Sequence, residues 1–391
     1  MEYVFSDKLK SLKPSAIREI LKATACPGII PFAAGNPCAE AFPVKELSEI
    51  SKEIFEISPI EALQYGVTEG YEPLRETVFK MMKSAGTLKG DNDTVIITSG
   101  AQQVMDLAAK SLCNEGDTVL CESPSFIGSL NCFRANGCRL AGVPLESDGM
   151  DVQALENALK KERNVRFIYT IPNFQNPSGA TMSLEKRKAV YELAEKYNVM
   201  IVEDNPYGDL RVEGEHVNSI KSLDRSGRVI YAGSFSKILS PGLRVGFAAA
   251  DRDVIAKMTV CKQTEDVHTP VLSQMLVSKW LCERSPEKHI EKIRGIYRKK
   301  LSLMCDLIDE KLSEKFTYVR PEGGLFVWCA LPKEIDMPYF CRSALEKGVA
   351  VVPGSAFLVN PNDKTGCIRL NFSTPSDEQI IKGITELSSL F

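Results

Sequence analysis

The chain has 391 residues, past the size at which one hydrophobic core keeps growing, so two or more lobes are expected. Its 44% hydrophobic and 25% charged residues are those of an ordinary globular protein, and a net charge of -3 without a basic stripe argues against a nucleic-acid partner. No apolar run reaches about 18 residues, so no membrane span or membrane partner is expected, and Met1 to Lys13 lacks the apolar core of a signal peptide. The twelve cysteines are scattered with no C-x-x-C pair and read as small core residues in a reducing cytoplasm. His216, His268 and His289 show no ligand spacing, so no metal site is expected.

Ser15 to Thr24 carries Ile17, Ile20 and Leu21 at helical spacing, stopped by Pro27-Gly28. An apolar stretch, Ile29 to Ala34, leads to a turn at Gly35-Asn36-Pro37. Residues 44–57 read as a helix, a loop carries Tyr65, and Pro73 opens the next helix. Strands and helices then alternate. Strands are expected at Thr94 to Thr98, Thr118 to Cys121, Arg139 to Pro144, Val165 to Ile171, Val199 to Val202, Val229 to Ala232 and from Gly246 through Ala249. Helices are expected after Ser99–Gln102, with Val104, Leu107, Ala108 and Leu112 on one face, at Val152 to Lys161 and at Leu184 to Tyr197. This order predicts an open α/β sheet, largely parallel and flanked by helices. Beyond about 270 come helices at Val271 to Leu281, a long one opened by Ser285-Pro286, and others at Met337 to Lys347 and Ser376 to Leu390. Short strands near Phe316 to Arg320, Leu325 to Cys329, Val349 to Val352 and Cys367 to Phe372 complete a smaller α+β lobe.

Ligands of open α/β sheets bind beyond the carboxyl ends of the strands. Those ends carry Phe126, Asn176, Asp204 with Tyr207, and Ser234, Ser236 and Lys237, followed by Arg244. The Ser99-Gly100-Ala101-Gln102 turn opens a helix whose free N–H groups suit an anion. Taken singly, each has a plainer reading: a turn, a cap, a core aromatic, a solvated lysine. Together they offer a phosphate cradle, a stacking face, an isolated acid and a lysine, the set that pyridoxal 5'-phosphate requires.

With Asn173-Phe174-Gln175-Asn176-Pro177-Ser178-Gly179, Glu203-Asp204-Asn205-Pro206-Tyr207, Gly233-Ser234-Phe235-Ser236-Lys237 with Arg244, and Arg369-Leu370-Asn371-Phe372 in order, the chain resembles the fold-type I, class I/II aminotransferases. Within them it is most similar to the 2-aminoadipate/kynurenine branch and the aminotransferase-like domains of MocR-type regulators. The resemblance implies a large domain with a mostly parallel sheet of the seven-stranded type (41–280), a smaller α+β domain (281–391), and an N-terminal segment (1–40) packed with the latter. It implies Lys237 as the Schiff-base lysine and Asp204 as partner of the pyridine nitrogen. Asn176 and Tyr207 would bond the ring's 3′ oxygen, and Phe126 would stack on the ring where relatives often have tyrosine. The phosphate would be held at Ser99–Gln102, Ser234, Ser236 and Arg244, and by Tyr65 of a neighbouring subunit, so a homodimer is expected. Arg369 would anchor the substrate α-carboxylate, with Gly35, Asn36 and Asn176 nearby.

The implied reaction is ping-pong transfer of an amino group from an L-amino acid to a 2-oxo acid. The same residues also serve β-elimination or decarboxylation. An effector domain that senses the cofactor in a regulator is not expected, because the pattern begins almost at Met1 and the chain is acidic.

Overall fold

A computed structural model describes residues 3–6, 28–360 and 362–391; the helix expected at Ser15 to Thr24 lies outside them. The larger sheet has strands β1 (Asp93–Thr98), β2 (Thr118–Ser123), β3 (Arg139–Glu146), β4 (Gly149–Met150), β5 (Val165–Thr170), β6 (Met200–Asn205), β7 (Val229–Ser234) and β8 (Gly246–Asp251). Their order is β1-β8-β7-β6-β5-β2-β3-β4. The pairings β3-β2-β5-β6-β7 are parallel, while β8 runs antiparallel to both β7 and β1, so β1 shares the parallel direction. The reversed β8 follows from its connection: residues 235–245 hold no helix long enough to carry the chain back for a parallel crossover.

Alternation along these strands separates two cores. Val119, Cys121, Phe167, Tyr169, Val202, Ile230 and Ala232 face one of them. Leu120, Ile168, Ile201 and Val229 face the other, against Leu155, Leu159, Val190 and Ala194 of the helices Val152–Lys161 and Leu184–Tyr197. Asp204 is therefore on the face of Val202. Glu203 points to the opposite face, where its carboxylate accepts the N–H groups of Ile220 and Lys221.

A second, antiparallel sheet has the order β11-β12-β10-β9, from β9 (Thr317–Tyr318), β10 (Phe326–Ala330), β11 (Val352–Pro353) and β12 (Cys367–Asn371). The 27-residue helix Pro286–Leu312, about 40 Å long at 1.5 Å per residue, reaches towards both sheets. Arg294 donates to the Asp209 carbonyl beside the large sheet, and Lys300 to the Pro375 carbonyl beside the small one.

Three helices carry no signal in the sequence reading, of which Pro59–Leu63 is only five residues long. Ile127–Ala135 is short and buries Ser129 along with Leu130 and Phe133. Arg252–Gln263 buries Thr259 and Lys262 beside Ile255 and Met258, which hides its apolar face. No helix of the described residues is long and apolar enough to cross a membrane, and no cluster of potential metal ligands exists among them.

Candidate active site

The carboxyl ends of the parallel strands meet the face of β12 across a cavity of about 550 Å3. Its walls hold Gly35, Asn36, Ala101, Gln102, Phe126, Asn176, Asp204, Tyr207, Ser234, Ser236, Lys237, Arg244 and Arg369, so residues distant in sequence converge on one site.

Asp204 ends β6 and is buried. Its Oδ2 accepts a hydrogen bond from the Tyr169 hydroxyl at 2.8 Å, while Oδ1 has no partner. Burial lifts its carboxyl to about 7; the Tyr169 bond opposes the rise and the charge of Glu122 adds to it. An unpaired acid oxygen in a dry wall is costly unless a ligand donor meets it.

Lys237 follows β7 by three residues, and its Nζ donates to the Gly35 carbonyl at 2.7 Å. Burial, then the charges of Arg369 and Arg244, push its ammonium down to about 8. Against its ordinary 10.5, that raises the unprotonated fraction near neutrality roughly 300-fold.

Arg369 is buried mid-strand in β12, opposite Trp328 and Val352. Its guanidinium is sandwiched between Phe326 and Phe357, 4.1 and 5.0 Å from the ring centres. It donates to Asn176 Oδ1 (3.0 Å) and to the carbonyls of Ala33 (2.9 Å) and Ala34 (3.1 Å), and Nε has no partner. Its bonded acceptors are neutral, and no carboxylate of the described residues pairs with it. Asn176 in turn donates to the Tyr207 hydroxyl at 3.5 Å, and burial raises that phenol's pKa.

The anion end is built from backbone. The helix Ala101–Leu112 starts at Gly100 with no side-chain cap, leaving N–H groups free at its positive end. Arg244, itself in the left-handed region (φ 55°), lies over Gly100 and donates to the Ser99 carbonyl at 3.1 Å. Gly100 has φ +82°, and a Cβ there would collide with the Arg244 guanidinium, so glycine is required for this approach. Ser234 and Ser236 close the cradle, with the Ser236 N–H donating to Ser234 Oγ at 3.1 Å.

Three expected site residues stand apart. Ser99 and Gly100 support the wall without lining it. The Ser99 hydroxyl donates to Asp266 (2.6 Å) and its N–H to Gln103 (2.8 Å), in a network centred on buried Lys262. Tyr65 is 82% exposed, with its ring edge-on to His268, outside the cavity.

Several residues that shape the site gave no sequence signal. Tyr169 and Glu122 sit within ordinary strand sequences. The buried Arg187 donates to Asn173 Oδ1 (2.7 Å) and the Pro172 carbonyl (2.9 Å), fixing the loop that carries Asn176.

An unpaired acid, an uncapped helix start beside Arg244 and two serines, and a lysine of lowered pKa fit pyridoxal phosphate at its ring nitrogen, phosphate and aldehyde respectively. Comparison with known proteins agrees. Residues 27–387 match the family model "Aminotransferase class I and II". The aromatic-amino-acid aminotransferase 1 of Thermococcus litoralis is 40% identical, over 99% of this chain and 94% of that protein. The structure of a Pyrococcus horikoshii kynurenine aminotransferase with PMP is 39% identical and superposes with a TM-score of 0.94 over 98% of this chain and 96% of that one. For the α-aminoadipate aminotransferase of Thermus thermophilus, bound to N-(5'-phosphopyridoxyl)-L-leucine, the values are 39% and 0.90 over the same shares. The chain belongs to the class I and II aminotransferases, enzymes that use pyridoxal phosphate to move amino groups.

Proposed function

We propose that the cavity between β5, β6, β7 and β12 takes an L-amino acid and then a 2-oxo acid, with Lys237, Asp204 and Arg369 as its central residues. The observation that carries this reading is the amine of Lys237 at about 8 in the same wall as the unpaired acid Asp204. When bound, pyridoxal phosphate supplies an aldehyde that takes up the amino group and a ring that accepts the electrons left when the substrate Cα loses its proton. The unprotonated Lys237 amine would accept that proton from Cα and deliver it to the cofactor's C4′ carbon. Asp204 presents a negative charge to the ring nitrogen. Asn176 and Tyr207 bond the ring oxygen, and Phe126 covers one ring face. Ala101, Gln102, Ser234, Ser236 and Arg244 hold the phosphate, with Ser99 and Gly100 shaping that cradle.

Arg369 receives the substrate α-carboxylate beside Gly35 and Asn36. Its uncompensated charge and its aromatic sandwich favour an anion and discriminate against uncharged amines. The two separate sheets support a division into a large domain at 41–280 and a small one at 281–391, and in the described part of the segment before 41, Ile30 bonds Gly348 and Ala350 of the small one. Tyr65 reaches the phosphate of a second subunit in a homodimer; its exposure and distance from its own cavity support this. The free thiols of the described cysteines other than Cys138 suit the cytoplasm.

The names of the relatives favour aromatic, kynurenine-like or 2-aminoadipate donors, and the family resemblance adds 2-oxoglutarate as acceptor. A panel of amino donors, scored by bleaching of the visible absorbance of the loaded enzyme, tests this. Aromatic amino acids or 2-aminoadipate should bleach at least tenfold faster than alanine or aspartate. Equal rates across the panel, or a preference for aspartate, would remove the proposed donor class.

A further inference from the structure

The roles above leave the buried Tyr169 hydroxyl without a task. Tyr169 is fully buried near the end of β5. Its ring lies edge-on to Phe133 (centroids 5.3 Å, 74°), which meets Phe167 in the same way (5.3 Å, 75°). That packing needs only the ring. A buried phenol hydroxyl costs desolvation unless it is bonded, and this one donates to Asp204 Oδ2 at 2.8 Å, with the Ser129 side chain beside it. No other described residue donates to the Asp204 side chain, and Oδ1 is left unpaired in the cavity wall.

We propose that Tyr169 is a positioning residue for Asp204: its hydroxyl occupies Oδ2, so that Oδ1 is the oxygen offered to the cofactor's ring nitrogen and the carboxylate stays ionised there. This rests on the role given to Asp204 above. The other groups near Asp204 do not favour its charge. Glu122, at the end of β2 on the opposite sheet face, is buried and repels it; the phenol of Tyr207, just after β6, is neutral. The Tyr169 hydrogen bond is therefore what opposes neutralisation, since a hydrogen bond to the charged form of an acid favours that form.

The test compares Tyr169→Phe, Asp204→Ala and the double variant. Tyr169→Phe keeps the ring and its packing, and thermal unfolding checks that each variant is folded. Two readouts do not depend on turnover: the equilibrium affinity of the cofactor-free protein for pyridoxal phosphate, and the 15N resonance of the ring nitrogen in enzyme loaded with labelled cofactor, followed between pH 5.5 and 9. Tyr169→Phe should weaken cofactor binding about tenfold and move the resonance towards its unprotonated position. It should also raise the acid limb of the amino-donor half-reaction by about one pH unit, the size expected for losing a hydrogen bond to a charged group. In the Asp204→Ala background, Tyr169→Phe should change none of these. If Asp204→Ala loses affinity and resonance while Tyr169→Phe keeps both, the positioning role is overturned. It is equally overturned if the Tyr169→Phe losses persist undiminished without Asp204. If Asp204→Ala alone leaves binding and resonance as in the unaltered enzyme, the role of Asp204 fails, and that of Tyr169 with it.

Discussion

Glu122 shows at the scale of a residue how the site strains the fold. It is wholly buried, and its carboxylate accepts from the Thr170 hydroxyl, the Ile171 N–H (3.2 Å) and the Gln175 amide (3.0 Å). Burial nonetheless pushes its pKa up from 4.5 to about 7. The sign follows from proton counting: between those values the folded chain holds a proton that the unfolded chain has lost. Stability is therefore lost as pH rises from about 4.5 to about 7, and the loss is complete above that. Glu122→Gln removes the titration. In the cofactor-free protein its stability relative to the unaltered chain should rise across this window by about 3 kcal/mol, then stay flat. Thermal unfolding at pH 4.5 to 8 measures this; a gap between the two proteins that does not change with pH would show that Glu122 does not titrate there. The same bonds explain why Glu122 was invisible in the sequence. Thr118 to Cys121 reads as a plain strand with Glu122 just past its end, and the partners that give Glu122 meaning lie 48 to 53 positions away.

At the scale of elements, legibility followed from where a motif sits. Lys237 and Asn176 are readable because they lie beyond the ends of β7 and β5, and Asp204 because it lies at the carboxyl end of β6, where the chemistry of an open sheet must collect. Arg369 lies mid-strand, and its aromatic sandwich, the Asn176 side chain and the carbonyls of Ala33 and Ala34 explain how a guanidinium is buried there. The helix Arg252–Gln263 escaped notice because a lysine and a threonine occupy its buried stripe. Lys262 Nζ bonds Asp266, Gln103 and Thr269, and Asp266 is also bound by Ser99, so this helix braces the turn that opens the anion cradle. That turn has a second constraint in Gly100. Gly100→Ala would place a methyl group in the Arg244 guanidinium and strain a positive φ. It should displace Arg244 and weaken cofactor binding at least tenfold, with a smaller effect on the rate once the enzyme is saturated with cofactor. Titration of the cofactor-free variant with pyridoxal phosphate reads this directly, and unaltered affinity would mean that Arg244 does not hold the phosphate.

The molecule as a whole brings two sheets to one cavity. The large sheet contributes strand ends carrying the lysine, the acid and the anion cradle. The small sheet contributes the guanidinium from β12, and the segment at Ala33 to Asn36 passes between them: Gly35 accepts from Lys237, Asn36 accepts from Ser373 and Thr374, and Ala33 and Ala34 accept from Arg369. The alternating pattern announced the large sheet, and the shift in texture beyond residue 270 announced the small one. The convergence of Arg369 on Asn176, 193 positions apart, came from the family motifs rather than from local pattern, because no local signal encodes a contact of that span. The central claim is that this cavity transfers an amino group with Lys237 as the base that moves the proton. The most direct measurement is the visible absorbance of the loaded enzyme, first mixed with an amino donor and then with 2-oxoglutarate. The absorbance should fall with the donor and return with the oxo acid, and Lys237→Ala should bind cofactor yet complete neither change at a measurable rate. A Lys237→Ala protein that cycles as fast as the unaltered enzyme would contradict the account.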